Sequence, residues 1–469
     1  MLKQTALVVA LAAALGACTV GPDYKRPGTE LPQAWPVNAP DANVSARWWT
    51  LYADAELNLM VEEALSHNTN LRLAAARVNE ARAGLTVVRA DGLPSVTAGG
   101  SASRTRISER SGNFFPGIPT EFNDITVQLN ASWEIDFWGR YRRATEAAKA
   151  DLLASTAARD AVQLSLISDV VNGYVSLRSL DKQIEITKRT IGTRRESLKL
   201  QQMRFNAGES SQYELRQVEA EAAAAEALLP ALEQQQAQQE NALAVLLGRS
   251  PRAIMEGNIQ RGATLDTIVM PPAVPAGLPS DLLERRPDIR EAEQRLIAAN
   301  ARIGVARAAY YPSISLTGML GFESEKLTNL FSAPARIWQF GAGVAQTVFD
   351  AGRTGAQVDI ATARQEQQLA SYQGTVQNAF REVKDALVAN RKAGERSTAE
   401  SSRVTSLRDA HRLAELSYKS GESSLLDVLD AERGLLDAEL NYVRAQRDQV
   451  VATADLFKAL GGGWENGGK

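Results

Sequence analysis

The sequence predicts a membrane β-barrel joined to long α-helical hairpins, in an internally duplicated chain that supplies four strands. Three observations carry this. Residues 205–211 read FNAGESS and residues 418–424 read YKSGESS, 213 positions later. Residues 126–137 alternate apolar and polar side chains over twelve positions. No proline occurs from 120 to 229 or from 335 to 469.

The alternation is that of a strand with two unlike faces. Val127, Leu129, Ala131, Trp133, Ile135 and Phe137 alternate with Thr126, Gln128, Asn130, Ser132, Glu134 and Asp136, the period of two that a pleated strand requires. Trp338–Phe349 alternates likewise, with Gln346 breaking the pattern, and Ser313–Phe322 places Ile314, Leu316, Leu320 and Phe322 on one face. Ser95–Arg106 is the weakest strand, made mostly of Ser, Ala, Gly and Thr. Loops over 109–123 and 325–336 join each pair.

The duplication extends beyond the opening echo. Asn70-Leu71-Arg72 corresponds to Asp288-Ile289-Arg290 and Pro94-Ser95 to Pro312-Ser313, at an offset of 218. From Gly139-Arg140 and Gly352-Arg353 onward the offset is 213, and it holds to Leu247-Gly248 and Leu460-Gly461. Two units result, 55–248 and 281–461. A period this long is a duplicated domain rather than a solenoid.

Helical periodicity covers 55–90, with Leu57, Met60, Val61, Ala64 and Leu65 on one stripe. Val376, Phe380, Val383 and Leu387 follow coiled-coil spacing. A helix over 141–205 would be ~100 Å long at 1.5 Å per residue. The linker around 249–281 holds five of the 17 prolines and reads as irregular or short-strand structure; another five lie in 22–40, which reads as an extended tether.

Gly208 and Gly421 suit the left-handed position just past a helix end. Ser211 with Glu214, and Ser424 with Asp427, fit the capping box. Each repeated segment, Gly208-Glu209-Ser210-Ser211 and Gly421-Glu422-Ser423-Ser424, is therefore a tight turn between two long antiparallel helices.

The N-terminus is that of a secreted chain. Lys3 precedes an apolar run over 5–15 too short to span a bilayer, ending Leu15-Gly16-Ala17-Cys18. The one cysteine of the chain occupies the position that is lipidated in bacterial lipoproteins, so a covalent lipid on Cys18 is expected, with no other cofactor. The net charge of −3 points to no nucleic-acid partner, and two histidines and one cysteine are too few for a metal site built from soft ligands. Solitary His67 and His411, and GESS segments that lack the closing glycine of a nucleophile elbow, argue against an enzyme.

Four spanning strands cannot close a barrel, because no edge stays unpaired in a membrane and single-chain barrels begin at about eight strands. Several chains must contribute to one barrel; three would give twelve strands. Tyr310, Tyr311 and Trp138 would form one interfacial aromatic girdle, with Phe114, Phe115, Phe122, Phe331 and Trp338 toward the other end. If the apolar face meets lipid, Gln128, Asn130, Glu134 and Asp136 face the lumen.

The chain resembles the TolC-like outer membrane factors of bacterial efflux systems, in their lipoprotein branch. The residues that carry the likeness are Leu15-Gly16-Ala17-Cys18, Trp48-Trp49, Asp136-Phe137-Trp138-Gly139-Arg140, Arg285-Arg286-Pro287-Asp288-Ile289, Ile303-Gly304-Val305-Ala306-Arg307, Pro312-Ser313 and Ala459-Leu460-Gly461-Gly462-Gly463-Trp464. The resemblance implies a homotrimer with a 12-stranded outer-membrane barrel and a periplasmic helical barrel. It implies as partners a periplasmic adaptor, a proton-driven inner-membrane pump and outer-membrane lipids. It also implies that the turns dock the adaptor and that the pore constriction maps to Leu426, Asp427 and Asp430. The organisation expected is a signal peptide over 1–17, a lipidated tether and equatorial segment over 18–54, and a first unit over 55–248 with strands within 93–137 and a hairpin over 140–248. A linker over 249–280 follows, then a second unit over 281–461 with strands within 312–350 and a hairpin over 353–461, and a tail over 462–469. The competing reading is a periplasmic lipoprotein adaptor or structural coiled-coil protein.

Overall fold

The computed structural model describes residues 19–28, 30–32, 46–110, 117, 119–271 and 281–463. Cys18, Phe114 and Phe115 lie outside these residues.

Each half of the chain opens with helix, passes through a strand pair and ends in a helical hairpin. The first half comprises α1 (Ala55–His67), α2 (Thr69–Asp91), β1 (Ser95–Arg106), β2 (Glu121–Glu134), α3 (Arg140–Asn206) and α4 (Gln212–Leu246). A short helix α5 (Pro251–Glu256) begins the linker, where a strand was one expectation. Its Pro251 sits at the first helical position and Ser250 caps it, accepting from the Ala253 N–H at 3.2 Å. The second half comprises α6 (Leu282–Arg285), α7 (Pro287–Ala308), β3 (Ser313–Ser324), β4 (Arg336–Ala345), α8 (Arg353–Ser420) and α9 (Leu425–Ala459).

The helix expected over 55–90 is two helices. Asn68 divides them: its side-chain oxygen accepts from the Asn70 and Leu71 N–H groups at 2.9 and 3.1 Å, which starts α2. Its carboxamide also donates to the Leu246 carbonyl at 2.8 Å.

The strands form one antiparallel sheet in the order β1-β2-β3-β4. The register aligns unlike residues on opposite faces. Leu129 pairs with Ala98 on one side and Leu320 on the other, and Leu320 pairs with Trp338. Val127 pairs with Gly100 and Phe322, and Trp133 with Leu316. This face is apolar, and several of its side chains are exposed: Leu320 53%, Trp338 67%, Phe340 76%, Val344 71%. The opposite face carries Thr97, Gln128, Asn130, Ser132 and Thr317, with Met319 and Ile337 as exceptions. Among the described residues, the outer edges of β1 and β4 have no strand partner.

Two strand ends differ from expectation, and an acidic helix cap follows each. β2 stops at Glu134, and Asp136 is not a strand residue. Its carboxylate accepts from the Tyr141 and Arg142 N–H groups at 3.1 and 2.8 Å, satisfying the open donors at the start of α3. β4 stops at Ala345, and Asp350 does the same for α8, accepting from the Gly352 and Thr354 N–H groups at 2.9 and 2.8 Å. The period-two pattern runs past β2 because helix capping claims Asp136.

The chain divides into two compact units, and each draws on both sequence repeats: 1–28, 77–155 and 291–372 form the first, 29–76, 156–290 and 373–469 the second. In the first unit, Ala147 and Ala150 of α3 pack on Ala298 and Ala301 of α7. In the second, Trp48, Tyr52, Leu57 and Val61 pack with Val170, Val171 and Tyr174 of α3, Leu243 of α4, Leu247 just past its end, and Val450 and Phe457 of α9. Trp48 stacks on Phe457 with ring centroids 4.9 Å apart.

Candidate functional site: the hairpin turns and the two-faced sheet

Both turns are built in the same way. Gly208 has φ +78° and Gly421 φ +81°, a region that costs a side chain about 1–2 kcal/mol. The Gly208 N–H donates to Phe205 O at 3.0 Å and the Glu209 N–H to Arg204 O at 2.9 Å. The Gly421 N–H donates to Tyr418 O at 3.1 Å and the Glu422 N–H to Ser417 O at 2.9 Å. Each is a Schellman motif that satisfies the last carbonyls of α3 or α8. One residue pair later the next helix starts. The Ser211 N–H donates to Glu214 Oε2 at 2.9 Å while Ser211 Oγ accepts from the Glu214 N–H at 3.2 Å. Ser424 and Asp427 repeat this at 2.9 and 3.4 Å. The hydroxyl of Ser424, and then its backbone N–H, hold the Asp427 carboxyl below the ordinary aspartate range.

The two turns are not equivalent in their side chains. Ser210 receives a hydrogen bond from Gln201 at 2.7 Å. The position 213 residues after Gln201 is Ala414, and the Ser423 hydroxyl is buried without a hydrogen-bond partner. Leu426 is 53% exposed and stands where the first turn has Tyr213. Asp430 stands where the first turn has Gln217; Gln217 donates to the Tyr213 hydroxyl at 2.9 Å, whereas Asp430 pairs with Arg433. Arg433 also reaches Glu221 at 3.5 Å. The acid singled out from the sequence therefore carries its own counter-charge. Across the hairpins, Arg204 donates to the Tyr418 hydroxyl at 2.8 Å.

In the sheet, Gln128, Asn130 and Glu134 share the polar face, as their alternation predicted. Glu134 is tied to Arg140 at 3.1 Å and accepts from the Tyr141 hydroxyl at 3.3 Å. Asp136 leaves the set, for the capping reason given above. At the helix end of the sheet, Trp138 stacks on Tyr311 with centroids 4.6 Å apart and donates to the Pro312 carbonyl at 2.8 Å. At the other end, Phe322 and Phe331 meet edge to face at 5.5 Å.

Sequence reasoning missed the fixing of the N-terminal segment. The tether was expected to be merely extended over 22–40, yet residues 19–28 form a strap along α7. Glu293, 8% exposed at its side chain, accepts from Arg26 at 2.6 Å and from the Tyr24 hydroxyl at 3.1 Å. Asn300 donates to Pro22 O at 2.9 Å, and Arg143 pairs with Asp23 at 2.6 Å. A Cβ at Gly304 would stand 2.7 Å from Val20 O, so this helix position admits the strap only as glycine. A mid-helix glycine, Gly304, preceded by Glu293 and Asn300 on the same helical stripe was the available signal.

The remaining motif residues fasten junctions. Arg286 pairs with Asp288 and Glu382 at 2.6 and 2.7 Å and donates to the Ala459 carbonyl at 2.9 Å, which ties the start of α7 to the end of α9. Among the described residues, no group of three or more His, Cys, Asp or Glu side chains could hold a metal ion, and no helix is long and apolar enough to cross a membrane.

The outer membrane efflux protein family model matches residues 60–249 and again residues 278–462. The cation efflux system protein CusC of Escherichia coli is 35% identical over 97% of this chain and 98% of its own. The toluene efflux pump outer membrane protein TtgC of Pseudomonas putida is 34% identical over 99% of this chain and 96% of its own. The crystal structure of the CmeC outer membrane channel of Campylobacter jejuni superposes with a TM-score of 0.91 at 28% identity, covering 96% of each chain. Duplicated hairpins, a two-faced sheet and matches over essentially the whole length together place this chain in the outer membrane efflux protein family, as an outer-membrane channel protein.

Proposed function

We propose that the chain is the outer-membrane exit duct of a tripartite pump, passively passing drugs or other small toxic compounds that an inner-membrane transporter and a periplasmic adaptor deliver. One observation carries the reading: a four-stranded sheet with a continuous apolar face, a polar face and two unpaired edges. Such a sheet is stable in a bilayer only when closed. Three copies joined β4 to β1 close a twelve-stranded barrel with its polar face, including Gln128 and Asn130, on the lumen.

In this reading no residue is catalytic. Lipid on Cys18 holds the chain to the outer membrane, with the helical hairpins in the periplasm. The turns around Gly208 and Gly421 meet the adaptor, and Leu426, Asp427 and Asp430 form the periplasmic constriction. The cargo does not follow from the likeness: relatives of nearly equal identity carry names that specify cations and toluene.

Purified protein should migrate as a heat-modifiable trimer and give discrete single-channel conductance in planar bilayers. A monomer without conductance would return the chain to the competing reading, a periplasmic coiled-coil lipoprotein.

A further inference from the structure

In the first compact unit, α3, α7 and α8 enclose a groove of about 560 Å³. Ala299 of α7 forms its floor, and Asp151 and Ser155 of α3 and Gln367 and Gln368 of α8 stand along its walls. Its charge comes from three guanidinium groups, Arg295, Arg302 and Arg364. Asp151 is the carboxylate in the lining, and it pairs with Arg302. Arg295 pairs with Glu291, outside the lining. Arg364 has no ion-pair or hydrogen-bond partner among the described residues. The carboxamides of Gln367 and Gln368 are likewise uncommitted within the structure.

Its side of α7 is fixed by helical geometry. The strap touches Glu293, Asn300 and Gly304. At about 100° per residue these form one stripe, and Arg295, Ala299 and Arg302 form another about half a turn away. The strap is the segment that follows Cys18, so on the channel reading it runs along the outside, where an acyl chain reaches the bilayer. The arginine groove then opens to the duct.

We propose that this groove is a binding station for organic anions passing through the duct, compounds bearing two carboxylates or sulfonates on an aromatic or aliphatic body. Planar guanidinium groups engage carboxylates with two parallel hydrogen bonds, and the carboxamides supply further donors. The volume falls in the about 300–1,000 Å³ range of sites for drug-sized ligands. The inference rests on the channel reading for its direction of opening.

The test uses the full-length trimer in detergent with carboxyfluorescein as the anionic probe and rhodamine 6G as a cationic control. Fluorescence polarisation should report carboxyfluorescein binding that weakens with salt, and at least fivefold in Arg364→Gln and further in Arg295→Gln/Arg364→Gln. Rhodamine binding should not follow these changes. Arg364 is exposed and unpaired, so Arg364→Gln tests the idea even if the double variant fails to assemble. Carboxyfluorescein binding that is absent in the wild type, or equal in wild type and Arg364→Gln, overturns the proposal. Wild-type conductance in bilayers is scored separately: its absence removes the channel reading, whereas an unchanged polarisation series removes only the anion station.

Discussion

Arg194 of the first hairpin reaches Glu432 of the second at 3.3 Å, and their side chains are only 4% and 12% exposed. The same guanidinium pairs with Glu221 at 3.2 Å and donates to the Glu221 carbonyl at 2.6 Å. One cation thus joins α3, α4 and α9. Further along, Glu439 of α9 takes Arg189 of α3 at 2.5 Å and Arg408 of α8 at 2.9 Å.

Arg194→Met should destabilise the hairpin pair by about 3 kcal/mol, because it leaves the mostly buried Glu432 without its counter-charge, whereas Glu221 keeps Arg433. The expected readout is a lower apparent unfolding temperature and faster amide exchange in α9 around Glu432. An unchanged exchange pattern would show that the network contributes no net stability there.

The sheet makes neighbouring positions opposite in tolerance. Leu129→Arg places a charge on the apolar face and should cost about 2–4 kcal/mol near mid-membrane. Gln128→Arg lies on the polar face and should leave assembly intact. The heat-modifiable trimer band in outer-membrane fractions measures both. Equal loss in the two variants would contradict the assignment of faces.

Asp427 makes the second turn acid-sensitive. Its folded-state pKa is depressed from the ordinary 3.8, first by the Ser424 hydroxyl and then by the Ser424 N–H. A depressed carboxyl contributes stability that is complete above the unfolded value and is lost as pH falls through the folded one. Amide exchange at 424–428 should therefore accelerate below the ordinary aspartate range, and Asp427→Asn should remove that dependence. A turn whose exchange protection is the same in both proteins at acid pH would contradict the capping account.

The constriction assignment is tested at the Asp430–Arg433 pair. On the channel reading three copies of Asp430 form an acidic ring that favours cations, so Asp430→Ala should change conductance and lower cation preference, and Arg433→Ala, which frees the carboxylate, should raise it. If Asp430→Ala leaves both conductance and ion preference unchanged, Asp430 does not belong to the gate.

The legible parts of this protein are those set by short-range chemistry. β1 begins at Ser95 and ends at Arg106, as its composition allowed despite weak apolar character. The turns were readable because a left-handed glycine followed by a serine–acid box has one efficient local solution. Asp136 was misplaced because period-two alternation is blind to a competing hydrogen bond: its carboxylate serves α3, not the sheet. The strap was missed because its partners, Glu293 and Asn300, lie more than 250 residues away in sequence.

The sequence by itself determined the duplication, the paired turns, the two faces of the strands and the need for several chains, since each follows from periodicity, capping or the closure of hydrogen bonds in lipid. Only the tertiary structure decided which charges stand alone. Arg194 is answered by Glu432 and Arg286 by Glu382, each from a distant helix, while Arg364 is left open beside two arginines brought from another helix. Local rules fix where a helix starts and stops. Which side chains then meet depends on how helices hundreds of residues apart pack together, and that packing places an arginine groove in a chain whose overall charge gave no sign of one.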